Sequence, residues 1–163
     1  MPELALWAHG GFMRLGFKRA EAIVSDQDKS DVETVCEEFV RAFQGALSWK
    51  WDGRFETVLA EVSVDNKDSI REILERHLGT IWDSSSIAAA PDIVRTVNIR
   101  VARLRSGQPL FTSDPKRDAL IFCAWWPWGD GKTISIRIAP FFRKLSASET
   151  AEKIQLFKRW FGV

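Results

Sequence analysis

Few side chains in this 163-residue chain are of the kinds that make and break bonds: two cysteines, two histidines and no tyrosine. The missing tyrosine excludes a phenolic acid or nucleophile outright. A zinc site needs three or four convergent nitrogen or sulfur ligands, and His9 and His77 stand in neither a His-x-x-x-His nor a Cys-x-x-Cys spacing. No metal and no other cofactor is expected. Cys36 and Cys123 both sit inside apolar patterns, where a thiol packs as a small hydrophobe and its thiolate is disfavoured. A Cys–His nucleophile pair stays open, because such partners meet only in space, but Cys36 in the middle of a helical pattern is a poor place for one. His77 falls on an apolar helix face and reads as a core or edge histidine. The loop Gly129-Asp130-Gly131-Lys132 lacks the Gly-x-x-x-x-Gly-Lys-Ser/Thr spacing that cradles phosphate, and it joins two strands instead of opening a helix. Adjacent carboxylates, Glu37 with Glu38 and Asp65 with Asp68, have the types for acid–base work, yet helix faces and caps usually hold such groups in water. No residue is assigned a catalytic role, and the chain is expected not to be an enzyme.

What the sequence does supply is charge and large rings. Residues 1–91 hold 16 acidic against 10 basic side chains and residues 92–163 hold 6 against 13, so a net charge of +1 hides halves of −6 and +7. Such asymmetry points to charged partners. The acidic set Asp26, Asp28, Asp31, Glu33, Glu37 and Glu38 brackets the start of the first helix. It complements the helix dipole, or it serves as a landing surface for a basic protein. Trp49, Trp51 and Trp128 are the rings expected to accompany it at a partner. The basic set Arg95, Arg100, Arg103, Arg105, Lys116 and Arg117, with Trp125, Trp126 and Trp128 nearby, gives the alternative of nucleic-acid binding with bases stacked on indoles. Tryptophans beside turns also often just close a core.

The elements that position these groups follow from periodicity. Phe12 to Val24 fits a strand imperfectly and ends in the polar turn Ser25 to Lys29. Ser30-Asp31-Val32-Glu33 is a capping box, followed by Val32, Val35, Cys36, Phe39, Val40, Phe43, Ala46 and Leu47 at helical spacing. After a turn at Trp49 to Gly53, the stretch Phe55 to Val64 alternates as a strand. Asp65 to Asp68 caps a second helix with Ile70, Ile73, Leu74, His77, Leu78 and Ile81 on its apolar face, and Asp83 to Pro91 is a loop. Ile93 to Leu104, rich in β-branched residues, reads as a strand. Leu110 to Thr112 reads as a short strand, and Ala119 to Trp126, apolar on both faces, belongs in the sheet centre. Trp128 to Lys132 turns the chain into Ile134, Ile136 and Ile138. A second capping box, Ser146-Ala147-Ser148-Glu149, opens a last helix that runs to Gly162. The expected architecture is α+β: residues 1–163 as one domain, a mostly antiparallel sheet of about five strands packed with three helices.

The start, Met1 to Gly10, has an acidic residue where a signal peptide carries a positive one and an apolar run of only five residues, so no export signal is expected. No stretch nears the roughly 18 apolar residues of a membrane span. A soluble cytoplasmic protein with no membrane partner is expected, and a homodimer stays open. With its α+β layout and its rings Trp49, Trp51, Trp82, Trp125, Trp126, Trp128 and Phe141-Phe142, the chain resembles the small immunity proteins that bacteria carry against polymorphic toxins. The immunity protein 52 family is the group it looks most like. The resemblance implies docking onto a cognate toxin, delivered for instance by type VI secretion and often a nuclease, so as to block its active site or substrate path. The near-neutral net charge departs from the acidic balance common among nuclease inhibitors.

Overall fold

The run Ala119 to Trp125 is buried along its whole length, and a strand with apolar side chains on both faces needs cover on both. The computed structural model, which describes residues 26–115 and 118–163, meets that need with one antiparallel sheet and four helices. The expected strand at Phe12–Val24 lies outside the described residues. In chain order the elements are α1 (Asp26–Ala42), β1 (Lys50–Asp52), β2 (Thr57–Ser63), α2 (Lys67–His77), β3 (Thr80–Trp82), α3 (Asp92–Arg100), β4 (Leu110–Thr112), β5 (Ala119–Pro127), β6 (Thr133–Phe142) and α4 (Ala147–Phe161). The sheet order is β1-β2-β6-β5-β4-β3, with β5 and β6 at its centre and three-residue strands at both edges.

Register fixes the two faces. Val58, Ala60 and Val62 of β2 stand opposite Ile138, Ile136 and Ile134 of β6, and Cys123 and Trp125 of β5 stand opposite Ile138 and Ile136. The helices α1, α2 and α4 pack on this face: α1 abuts β5, α4 abuts β6, and Arg71 of α2 lies over the ring of Phe111. Leu120, Phe122 and Ala124 point the other way, level with Phe141, Ala139 and Arg137. On that side Arg100 of α3 lies 5.8 Å from the centre of the Phe141 ring, and Ile93, Val94 and Val97 of the same helix are buried.

The α+β class and the antiparallel sheet agree with expectation, but four local assignments need correction. Residues 92–100 are helical where a strand was expected. The buried residues Ile93, Val94, Val97 and Val101 follow helical spacing, while Ile99, which alternation would place beside Val97 and Val101, is 59% exposed. Burying four such side chains is worth about 1.5–3 kcal/mol each, against a helix penalty of roughly 0.5 kcal/mol for each β-branched residue. The helix stops where Ala102 and Arg103 take φ of +66° and +63°, held by Asn98: its carbonyl accepts from the Arg103 N–H at 2.7 Å and its side chain from the Leu104 N–H at 2.8 Å.

Helix α1 (Asp26–Ala42) includes residues 26–29, expected as part of a turn, and Ser30, expected at the helix start. Lys50–Asp52 is an edge strand, not part of a turn. Ile81 belongs to β3 and not to α2, which ends at His77 just before Gly79. The capping box of α4 forms as expected, with the Glu149 N–H donating to Ser146 Oγ at 3.1 Å and Gly162 closing the helix at φ +70°.

The helical assignment of α3 is tested by a pair of substitutions. Val97→Ala should destabilise by about 2 kcal/mol, because it empties a core position, and Ile99→Ala should stay within about 0.5 kcal/mol, both read from denaturant unfolding. Equal losses at the two positions would restore the strand.

Candidate functional site

The acidic residues of α1 divide between its two flanks. Glu33 reaches across to α4, with Oε1 3.7 Å from Lys153 Nζ. Glu38 faces α2, with Oε2 3.1 Å from His77 Nδ1. Glu37, one turn on from Glu33, is exposed and borders a shallow groove of about 270 Å³ with Val40, Arg41, Gln44 and Trp160. Asp31 is half-buried, and the side chains of Asp26 and Asp28 lie outside the described set. Of the described members, Glu33 and Glu38 tie α1 to two different neighbouring helices.

The described basic residues fall on α3 and the loop after it. Arg95 pairs with Asp92 within α3, and Arg100 Nη2 donates to Glu56 Oε2 at 2.7 Å. Arg103 and Arg105 are exposed in the loop after α3, and Lys116 and Arg117 lie outside the described residues. Because 92–100 is a helix, no basic strand lines these residues up.

Most of the singled-out rings do packing work. Trp49 sits between Phe43 and Phe161, with centroids 5.6 and 4.9 Å away. Trp51 carries Lys158 Nζ 4.7 Å above its ring. Trp125 is buried in the core. Trp126 lies under the Arg137 guanidinium at 4.2 Å and against the Phe55 ring at 5.2 Å.

Sequence reasoning missed the polar centre of this cluster. Arg137 Nε donates to Asp52 Oδ2 at 3.0 Å and Nη1 donates to Ser135 Oγ at 2.9 Å. With only 14% and 15% of their side chains exposed, Arg137 and Asp52 clasp the short edge strand β1 to β6 across β2. Between Ile136 and Ile138 local alternation makes Arg137 only a polar position, and its partner is 85 residues away.

Trp128 is different. At 44% exposure it is the one exposed tryptophan among the described residues. Its backbone N–H donates to the Thr133 carbonyl at 2.8 Å, and its carbonyl accepts from the Gly131 N–H at 3.3 Å, with Gly131 at φ +68°. Asp130 stiffens the turn from outside: Oδ1 accepts from the N–H groups of Lys132 and Thr133 at 2.8 and 3.0 Å, and Oδ2 from the Thr133 hydroxyl at 3.1 Å. The bond from the Lys132 N–H, chief among these, holds the Asp130 carboxyl below the usual carboxylate range. The indole thus borders, on a fixed turn, a groove of about 330 Å³ between α2 and the β5–β6 hairpin. Val64, Trp125, Pro127 and Ile134 give the groove apolar surface, and Lys67, Asp68 and Arg71 line it from α2. This volume is at the small end for ligand pockets, suited to one or two side chains of a partner.

No protein-family model, curated protein or solved structure matches this chain. Among the described residues no group of three or more His, Cys, Asp or Glu is placed to hold a metal ion, and no helix is long and apolar enough to cross a membrane.

Cys36 and Cys123 are fully buried, and burial raises both thiols well above their ordinary value of 9.0. The folded chain therefore keeps both protonated. The associated stability is complete below pH 9 and is lost as the pH rises, since only the unfolded chain then releases the protons. Unfolding free energy should fall above pH 9 by on the order of 1 kcal/mol per thiol per pH unit, and Cys36→Ala with Cys123→Ala should flatten that fall. A thiol that reacts rapidly with Ellman's reagent in the native protein at pH 8 would contradict the burial.

Proposed function

We propose that the protein works by binding another protein without making or breaking bonds, as an immunity protein that docks onto and neutralises a cognate bacterial toxin. The observation that carries the binding reading is the exposed indole of Trp128, fixed on a braced turn beside an apolar groove. Tryptophan is enriched among the residues that dominate interface energies, and a turn whose backbone is already ordered needs less ordering on docking. The ring-rich composition behind the likeness to immunity proteins supports a toxin as the partner, and a nuclease is one class of target. Glu37, exposed on α1, is placed to steer a basic target, whereas Glu33 and Glu38 face Lys153 and His77. The nucleic-acid alternative has less support, since Arg95 and Arg100 are neutralised by Asp92 and Glu56.

Calorimetry with the protein encoded by the neighbouring reading frame tests the proposal. Trp128→Ala should weaken binding about 30-fold, an anchor's loss of roughly 2 kcal/mol, with the thermal midpoint unchanged. Glu37→Lys should slow association with a basic target and reduce its salt dependence. Full affinity in Trp128→Ala would remove the groove from the interface. Retention of the purified chain on nucleic acid at low salt, without affinity for the neighbouring protein, would replace the reading with the nucleic-acid one.

A further inference from the structure

The open edge of the sheet at β3 fits a second copy of this chain, and we infer that two molecules pair there, antiparallel, about a two-fold axis at Ile81. Which backbone groups face that edge follows from the bonds further in. The Trp125 N–H donates to the Pro109 carbonyl at 3.1 Å and the Ser113 N–H to the Ile121 carbonyl at 2.9 Å, so residues 109, 111 and 113 turn their backbone groups to β5. Successive residues of a strand bond to opposite sides, and Leu110 and Thr112 therefore face Trp82 and Thr80 of β3. Ile81, opposite Phe111 in the register, points both its N–H and its carbonyl away from the sheet.

The side chain at this point is apolar and 40% exposed. Edges are commonly protected by lysine, proline or other charged residues. Thr80-Ile81-Trp82 has none of these, whereas β1 at the far edge carries Lys50 and Asp52. The edge is also short. The Asp83 N–H donates to Ser86 Oγ at 2.9 Å and its carbonyl accepts from the Ile87 N–H at 3.0 Å, which closes the edge after Trp82. A longer strand from another protein gains no more bonds here than a short one. A second β3, of the same length and closed by the same turn, offers one N–H and one carbonyl in the reverse order. Ile81 of each copy then exchanges two hydrogen bonds with Ile81 of the other, and the two side chains cover each other on one face of the joined sheet. Such a contact uses the same patch on both copies and closes on itself, giving a pair and not a fibre. Ile81 lies outside the lining of the Trp128 groove, so the pairing does not rest on the toxin reading.

Sedimentation velocity of the full chain over a concentration series, with amide hydrogen exchange at both ends of the series, tests the pairing. So small a contact stands at the weak end of specific interfaces, so the mass should rise from monomer towards dimer with a dissociation constant on the order of 100 µM. The Ile81 amide should exchange like an open chain in dilute solution and gain protection as the dimer forms. Ile81→Lys, an exposed change, should weaken association at least about tenfold. Ile81→Val should retain it, and both variants should unfold at the wild-type temperature. A chain that stays monomeric up to about 1 mM overturns the pairing. So does undiminished association in Ile81→Lys, which would put the contact elsewhere on the molecule. An Ile81 amide whose exchange is the same at both ends of the series overturns it without recourse to any variant.

Discussion

A strand that is apolar on both sides cannot lie against water on either, and β5 imposes that requirement on the rest of the chain. Leu120, Phe122 and Ala124 on one face and Ile121, Cys123 and Trp125 on the other are all at or below 5% exposure. Covering one face takes α1, α2 and α4. Covering the other takes α3, even though its sequence has the composition of a strand. The same central strand continues beyond the core into Pro127 and Trp128, so the exposed indole is carried by the best-anchored part of the sheet. Position at the surface follows from burial at the centre.

The charged side chains serve this frame more than they decorate it. Asp52 and Arg137 hold the β1 edge, Glu33 and Lys153 join α1 to α4, and Arg100 and Glu56 tie α3 to the β1–β2 turn. Exposed pairs such as Lys50 with Glu61 add little to stability. The Asp52–Arg137 pair is largely shielded and hydrogen-bonded, and losing one partner would leave the other charge without compensation. The acidic-to-basic asymmetry along the sequence is real, but folding brings opposite charges together across it, as in Asp52 with Arg137, Glu56 with Arg100 and Glu33 with Lys153.

What could be seen in the sequence was whatever local spacing determines. The α1 stripe, the capping box at Ser146 and Glu149, the alternation of Ile134, Ile136 and Ile138 and the doubly apolar β5 each depend on neighbours within a turn or a strand. What could not be seen depended on distant partners. Lys50–Asp52 is a strand only because β2 pairs with it, Val97 is helical only because α3 must seal a sheet face, and Arg137 finds Asp52 across the intervening strand β2. Of the candidate site, Trp128 was legible as a ring beside a hairpin turn. The α2 wall of its groove was not, because Lys67 and Arg71 meet it only after the sheet has formed.

Native-state hydrogen exchange tests the dependence of the exposed ring on the buried strand most directly. If β5 and β6 anchor the turn, the amides of Ile121, Cys123 and Trp125 should exchange only through global unfolding, and the Trp128 amide, bonded to the Thr133 carbonyl, should be protected with the hairpin. A Trp128 amide that exchanges at the rate of an open chain while the core strands stay protected would contradict the account.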